Sequence, residues 1–126
     1  MTNNKTQKEF EKWLISAEKD LKKAKDNFNI ENYDLASFLC QQAVEKSLKS
    51  LLIKQTNKFP KIYDLVRLGN LVNIDKDLLE NCKRLTAVYT ENRYPDVSAE
   101  EYTKEEAEED IEVTEDILKW VKKKLS

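Results

Sequence analysis

Apolar side chains recur along the first segment of the chain at alternating steps of four and three residues. This spacing predicts an amphipathic helix over residues 7–28, because side chains three and four positions apart lie on one face of a helix. Trp13 lies beside the apolar stripe and widens it. The stripe itself consists of Phe10, Leu14, Ala17, Leu21, Ala24 and Phe28.

A second helix is predicted over the segment NYDLASFLCQQAVEKSLKSLLI, residues 32–53, where the same spacing returns. Its small and apolar positions form two adjacent rows rather than one. We therefore expect this helix to be buried over a wide arc and to be central to the fold. The rows are Ala36, Cys40, Ala43, Ser47 and Leu51, and beside them Leu39, Val44, Leu48 and Leu52.

The helical pattern breaks at Phe59-Pro60, because the residue before a proline is disfavoured in the helical region. A short helix is predicted to follow and to stop near Gly69, which suits a left-handed cap. Asp75 is placed to cap the next helix. The inward positions of that helix are Leu78 or Leu79, Cys82, Leu85 and Tyr89.

The last helix is predicted to begin at Ser98 or Thr103, each of which precedes a glutamate by three residues in a capping-box arrangement. Acidic residues crowd its start and residues 122–124, all lysines, crowd its end. This polarity complements the helix dipole. The acidic run therefore has a structural explanation, and we predict no metal site there. The buried stripe is Ala107, Ile111, Thr114, Leu118, Val121 and Leu125.

Composition supports helix throughout the chain. The 126 residues include one Gly and two Pro, and 37% are charged, which leaves few residues typical of sheets. We predict a single all-α domain over residues 1–126, an up-and-down bundle of four long helices and one short helix. The bundle by itself implies no chemistry, so function has to be inferred from particular polar residues.

Several classes of active site are excluded by the residues that the sequence lacks. It contains no His, which excludes a Cys/His nucleophile pair, and Cys40 and Cys82 lie in apolar stretches as expected for reduced core thiols. It has no glycine-rich phosphate loop, and we expect no cofactor. With no signal peptide and no apolar run of about 20 residues, we expect a cytoplasmic protein without a membrane segment.

Charge divides the chain into two halves of opposite sign. Residues 1–61 carry twelve lysines against eight acidic residues, a charge of +4, and residues 62–126 carry ten basic against sixteen acidic residues, a charge of −6. This polarity favours association between copies or with a charged partner more than general nucleic-acid binding. Together with the wide apolar coverage of the second helix, it predicts a homodimer.

The stretch YTENRYPDVSAEEYTKEE, residues 89–106, concentrates three aromatic residues, a proline and an arginine between two helices. In order, WLISAEKDLKKA, NYDLASFLCQQAVEKSLKSLLI, FPKIYDLVRL and YTENRYPD resemble the HEPN domain family. The paired glutamines before Ala-x-Glu-Lys and the Tyr-x-x-x-Arg-Tyr-Pro-Asp motif are the most specific parts. The resemblance runs from about Trp13 to Leu125.

This resemblance implies a dimeric helical bundle, often paired with a minimal nucleotidyltransferase as toxin and antitoxin. Many members are metal-independent ribonucleases that use an Arg followed, after four to six residues, by a His. Arg93 matches the Arg, but the His positions hold Ser98, Ala99 and Glu100. If the partner transfers nucleotides to tyrosine, the resemblance makes Tyr89, Tyr94 and Tyr102 the candidate targets.

The missing histidine leaves two hypotheses for the function, a binding module and a ribonuclease. Metal-free RNA cleavage needs groups that move protons near neutral pH, and histidine suits both steps. The first hypothesis is a non-catalytic binding module whose Arg93 still contacts a nucleotide or RNA phosphate through its forked donors. The alternative is an active ribonuclease that uses Arg93 with Tyr94, Asp96 or Glu100.

Other polar residues are expected to complete a ligand cleft with Arg93, Tyr94 and Asp96. Gln42, Glu45 and Lys46 lie within little more than one turn of the second helix and are predicted to face this motif. A structural alternative is that Glu45 forms an ion pair with Arg93. Asp64 is a further candidate ligand contact, with capping of the short helix as its structural alternative.

Overall fold

The structure, a computed structural model, describes residues 4–58, 61–93 and 102–126, apart from the side chains of residue 4 and of residues 87–93. These residues form α1 (Asn4–Asn29), α2 (Tyr33–Thr56), α3 (Leu65–Leu71), α4 (Lys76–Arg93) and α5 (Lys104–Leu125). The described part of the chain contains no strand. The prediction of an all-α bundle with four long helices and one short helix is confirmed.

Helix α2 is the centre of the bundle and contacts each of the other four helices. The C-terminal ends of α2 and α5 meet, because the Lys54 ammonium donates to the carbonyl of Leu125, so α2 and α5 run parallel. Helix α1 runs antiparallel to α5, since Lys25 pairs with Glu115 at 3.4 Å and Lys122 pairs with Glu18 at 2.7 Å.

The predicted apolar rows form the core. Both rows of α2 are buried except for a half-buried Leu39, and α2 also buries polar side chains around its circumference. The stripes of α1 and α5 are likewise buried or half-buried, and both cysteines are buried free thiols. Burial raises the pKa of Cys40 and of Cys82 to about 12. Their assignment as core residues is confirmed.

Gly69 does not cap α3, so this prediction is wrong. It lies inside α3, and the turn after the helix uses Asn73, whose φ is 56°. The glycine is explained by packing instead: a Cβ at this position would lie 3.0 Å from Ile74 Cγ2 and 3.1 Å from Leu79 Cδ1. Gly69 lets α3 approach the start of α4 closely.

Helix starts follow their predicted caps where the structure describes them. The Thr103 hydroxyl accepts from the backbone N–H of Glu106, so Thr103 is the N-cap of α5, whereas Ser98 lies outside the described residues. Helix α4 begins directly after Asp75. Helix α1 begins at Asn4, earlier than the predicted residue 7. None of the described helices combines the length and apolar character needed to cross a membrane.

Candidate functional site

The motif that carries the family resemblance lies at the end of α4. Arg93 is the last residue of this helix, but its side chain, like Tyr94, Asp96 and Glu100 as a whole, lies outside the described residues. The ligand cleft expected around these residues therefore remains a prediction. The structure does describe the elements on which the cleft was expected to depend.

Helix direction places the end of α4 near the beginning of α2. Helix α4 starts beside α3, which follows the C-terminal end of α2, and Arg84 in its middle contacts Asp110 of α5. The charge of Asp110 helps to raise the pKa of the Cys40 thiol, which belongs to the first half of α2. Helix α4 thus runs antiparallel to α2.

Gln42, Glu45 and Lys46 contact different groups. The half-buried Gln42 donates from its amide Nε2 to Oε1 of Gln41. Glu45 is buried and pairs with Lys49 on its own helix, with 3.4 Å between carboxylate Oε2 and ammonium Nζ. The expected Glu45–Arg93 pair involves a side chain outside the described residues.

Lys46 contacts α1. Its Nζ lies 2.7 Å from Oδ2 of Asp20 and donates to the hydroxyl of Ser16 at 2.9 Å. Asp20 is only 6% exposed, so this ion pair lies at the α1–α2 contact. Helical periodicity indicated the face of Lys46 but did not show which helix packs against that face.

Lys49 is a buried cation that sequence analysis missed. It is 3% exposed, and its ammonium lies 4.2 Å from the ring centroid of Tyr63 and 5.4 Å from that of Trp13. Aromatic faces and the Glu45 carboxylate compensate in part for its lost hydration. Burial raises the pKa of Glu45, and the Lys49 charge opposes this shift. The only sequence signal was the i, i+4 spacing of Glu45 and Lys49.

A shallow cleft of about 300 Å³ opens beside Lys46, between α1 and α2. Glu9, Lys12, Trp13 and Ser16 complete its lining. Trp13 is half-buried, and Lys12 and Glu9 lie 3.6 Å apart at the rim. The cleft combines an indole ring with charges of both signs.

Asp64 is the N-cap of α3. Its Oδ1 accepts from the backbone N–H groups of Val66 at 2.9 Å and Arg67 at 3.3 Å. The structural alternative for this residue is thus confirmed. The carboxylate stabilises α3 without any ligand, because it accepts from backbone donors that have no partner within the helix.

Asp110 is the centre of a polar network that sequence analysis also missed. It is fully buried in α5, and its carboxylate accepts from Arg84 Nε at 2.8 Å and from the Tyr102 hydroxyl. Glu109 lies 3.2 Å from Arg84 Nη1 at the surface. The available signal was the position of Asp110 on the buried face of α5, one turn before Thr114.

This network also determines the protonation of its members. Burial and the hydrogen bond to Asp110 together raise the pKa of Tyr102 far above its usual value. Burial lowers the pKa of Arg84, but the hydrogen bond and charge of Asp110 outweigh that effect, so its pKa is raised. Tyr102 therefore stays a neutral hydrogen-bond donor and Arg84 stays charged. Among the described residues, the Asp110 network included, no group of three or more His, Cys, Asp or Glu is arranged to hold a metal ion.

Comparison with known proteins agrees with the residues that carry the resemblance. The model of the HEPN domain family matches residues 10–124. The crystal structure of TT1696 from Thermus thermophilus is similar, with a TM-score of 0.83 and 30% identity over 91% of this chain and 97% of that chain. The crystal structure of ST0689, described as an archaeal HEPN homologue, has a TM-score of 0.80 and 36% identity over 93% of this chain and 98% of that chain. A search of curated proteins found no match.

Proposed function

The chain belongs to the HEPN domain family, and from this premise we propose that it is a dimeric, non-catalytic binding module. Its partner is a minimal nucleotidyltransferase in a toxin–antitoxin-like system. The Arg93 region supplies a polar cleft for a nucleotide or an RNA phosphate. The observation that carries the proposal is the retention of Arg93 without a histidine anywhere in the sequence.

Proton transfer distinguishes binding from cleavage. A metal-free ribonuclease needs one group to remove the proton of the 2′-hydroxyl and another to protonate the leaving oxygen. The motif positions hold Ser98, Ala99 and Glu100 in place of a residue that titrates near neutrality. Arginine stays charged at neutral pH, so Arg93 suits phosphate binding better than proton transfer.

Three described side chains with raised pKa values do not supply the missing group. Tyr102 is held protonated by burial and by Asp110. The Cys40 thiol, with a pKa of about 12, is a buried neutral group at physiological pH. Glu45 has the raised pKa that a general base needs, but its carboxylate is paired with Lys49. These observations support binding over catalysis.

A second candidate function is a metal-independent ribonuclease with a degenerate motif, favoured by the retained Arg93. In that mechanism Arg93 stabilises the phosphate charge while Tyr94, Asp96 or Glu100 moves the protons. Incubating labelled RNA with the purified protein in excess chelator tests it directly. Cleavage that Arg93→Ala abolishes and Arg67→Ala preserves establishes the ribonuclease and refutes the non-catalytic proposal. Arg67 is a suitable control because it is an exposed arginine on α3.

Binding is tested with the same pair of variants. Arg93→Ala should weaken nucleotide or RNA binding, and Arg67→Ala should not, because a forked phosphate contact is specific to one position. Equal binding by both variants refutes the ligand role of Arg93. If the role of Arg93 is instead to hold Glu45, Arg93→Ala lowers the melting temperature without affecting any ligand.

Association is tested separately. Light scattering should give twice the chain mass of 14.8 kDa, and a monomer at tens-of-micromolar concentration contradicts the dimer. Co-expression with the adjacent gene, followed by native mass spectrometry, should yield a complex with a nucleotidyltransferase. Intact-mass analysis of the same sample detects any nucleotide added to a tyrosine. Failure to co-purify refutes the pairing.

A further inference from the structure

The cleft between α1 and α2 holds a fixed cation with hydrogen-bonding capacity left over. An ammonium group has three N–H donors. In Lys46, one donates to Ser16 Oγ at 2.9 Å, and Nζ also forms an ion pair with Asp20 Oδ2 at 2.7 Å. Since Lys46 also lines the cleft and its side chain is 25% exposed, a further N–H donor can serve a ligand there.

Trp13 gives the same cleft a flat apolar wall. The indole is half-buried, and the buried Lys49 ammonium lies 5.4 Å from its ring centroid, so packing restrains the ring. A restrained aromatic ring favours stacking by another planar ring, because little conformational entropy is lost on contact. Stacking of a nucleobase on an aromatic side chain contributes about 1–3 kcal/mol in single-strand-binding proteins.

Charged groups at the rim fit the two ends of a nucleotide. Lys12, whose side chain is 74% exposed, can move toward an anionic group near Lys46. Glu9, whose side chain is 30% exposed, accepts hydrogen bonds only, so it suits an exocyclic amine on a base. The cleft volume of about 300 Å³ is at the small end of the range for ligand pockets.

We propose that this cleft around Trp13 binds a nucleobase that carries a phosphate, either as a free nucleotide or as one unit of an RNA strand. The base stacks on Trp13, an amine of the base donates to Glu9, and the phosphate accepts from Lys12 and Lys46. The proposal does not depend on the Arg93 region. Affinity is expected to be modest, because Glu9 and Asp20 offset the charges of the two lysines.

Tryptophan fluorescence measures this binding at one site. The sequence has two tryptophans, so Trp120→Phe leaves Trp13 as the sole reporter. Titration with AMP, CMP or GMP should quench or shift the Trp13 emission and saturate below millimolar concentration. UMP, whose base lacks an exocyclic amine, should bind about three- to tenfold more weakly than CMP. Ribose 5-phosphate, which has no base, should leave the emission unchanged.

Matched lysine variants test the phosphate contact. Lys12→Gln should weaken AMP binding about two- to fivefold, whereas Lys22→Gln should leave it unchanged. Lys22 is a suitable control, because it is also an exposed lysine of α1 with a carboxylate partner on the same helix, Asp26 at 3.2 Å. Equal weakening by both variants indicates general charge attraction and overturns the proposal.

Further titrations identify the natural ligand of the cleft and separate this site from the Arg93 region. If a tetranucleotide binds more tightly than AMP and shows the same dependence on Lys12, the ligand is an RNA strand. If the two affinities are equal, the ligand is a free nucleotide. AMP binding at Trp13 should persist in Arg93→Ala, and its loss assigns the ligand to the Arg93 region and overturns this proposal. An unchanged Trp13 emission with all four nucleotides, or an equal response to ribose 5-phosphate, also overturns it.

Discussion

Replacing Asp110 with Asn tests whether the buried network is a major source of stability. The carboxylate is fully buried and accepts from Arg84 and Tyr102, so it joins α4, α5 and the residue that precedes the α5 cap. Asparagine preserves the size of the side chain and removes its charge. Arg84 is then left as a part-buried cation without its buried partner.

The expected loss follows from the contacts. A hydrogen bond to a charged group contributes about 1.5–3 kcal/mol, and Asp110 accepts two such bonds. The side chain of Arg84 is 33% exposed, so solvent screening reduces its share. The asparagine carbonyl can still accept one neutral hydrogen bond. We therefore expect a net loss of about 2–4 kcal/mol.

Thermal unfolding followed by circular dichroism measures this loss, with urea unfolding as a second measurement. For a domain of this size, melting should fall by roughly 6–16 °C. Asp116→Asn, which changes an exposed carboxylate on the same helix, is the matched control and should alter melting little.

A double-mutant cycle then isolates the pair. Arg84→Gln should destabilise at least as much as Asp110→Asn, because it leaves a buried carboxylate with only the Tyr102 hydroxyl. The double variant should lose less than the two single losses added together. The reasoning is refuted if Asp110→Asn and Asp116→Asn have the same melting temperature. It is also refuted if the stability losses of Asp110→Asn and Arg84→Gln simply add in the double variant.

Three further predictions concern other buried groups. Burial raises the pKa of Glu45 despite the opposing charge of Lys49, so the folded state binds this proton more tightly than the unfolded chain. The contribution of Glu45 to the free energy of unfolding therefore falls as pH rises above about 4.3. Urea unfolding at a series of pH values above about 4.3 should show the protein losing stability relative to Glu45→Gln, and a relative gain would contradict the prediction. Gly69→Ala should lower stability by about 1 kcal/mol in the same assay, since overpacking outweighs the gain in helix propensity, and a more stable variant would refute the packing argument. Cys40 and Cys82 should resist a thiol reagent until the protein unfolds, because burial raises both pKa values to about 12. Rapid labelling of the native protein would contradict this.

Local sequence determined the helices and several of their ends. Apolar spacing predicted the buried rows of α1, α2 and α5, because helical periodicity is a property of neighbouring residues. Asp64 and Thr103 were recognisable as caps for the same reason: each bonds backbone groups two or three residues away. The Arg93 motif was likewise readable in the sequence, although its side chains lie outside the described residues.

Tertiary structure decided which charged residues are buried and what they contact. Sequence analysis assigned Asp110 and Lys49 no role, yet both are buried. Groups from elsewhere in the chain offset the cost of that burial: Arg84 for Asp110, and the Trp13 and Tyr63 rings for Lys49. Periodicity specifies a face of one helix, but it does not specify the neighbouring helix. The burial of a charge depends on that neighbour, because only the assembled bundle supplies the partner that replaces water.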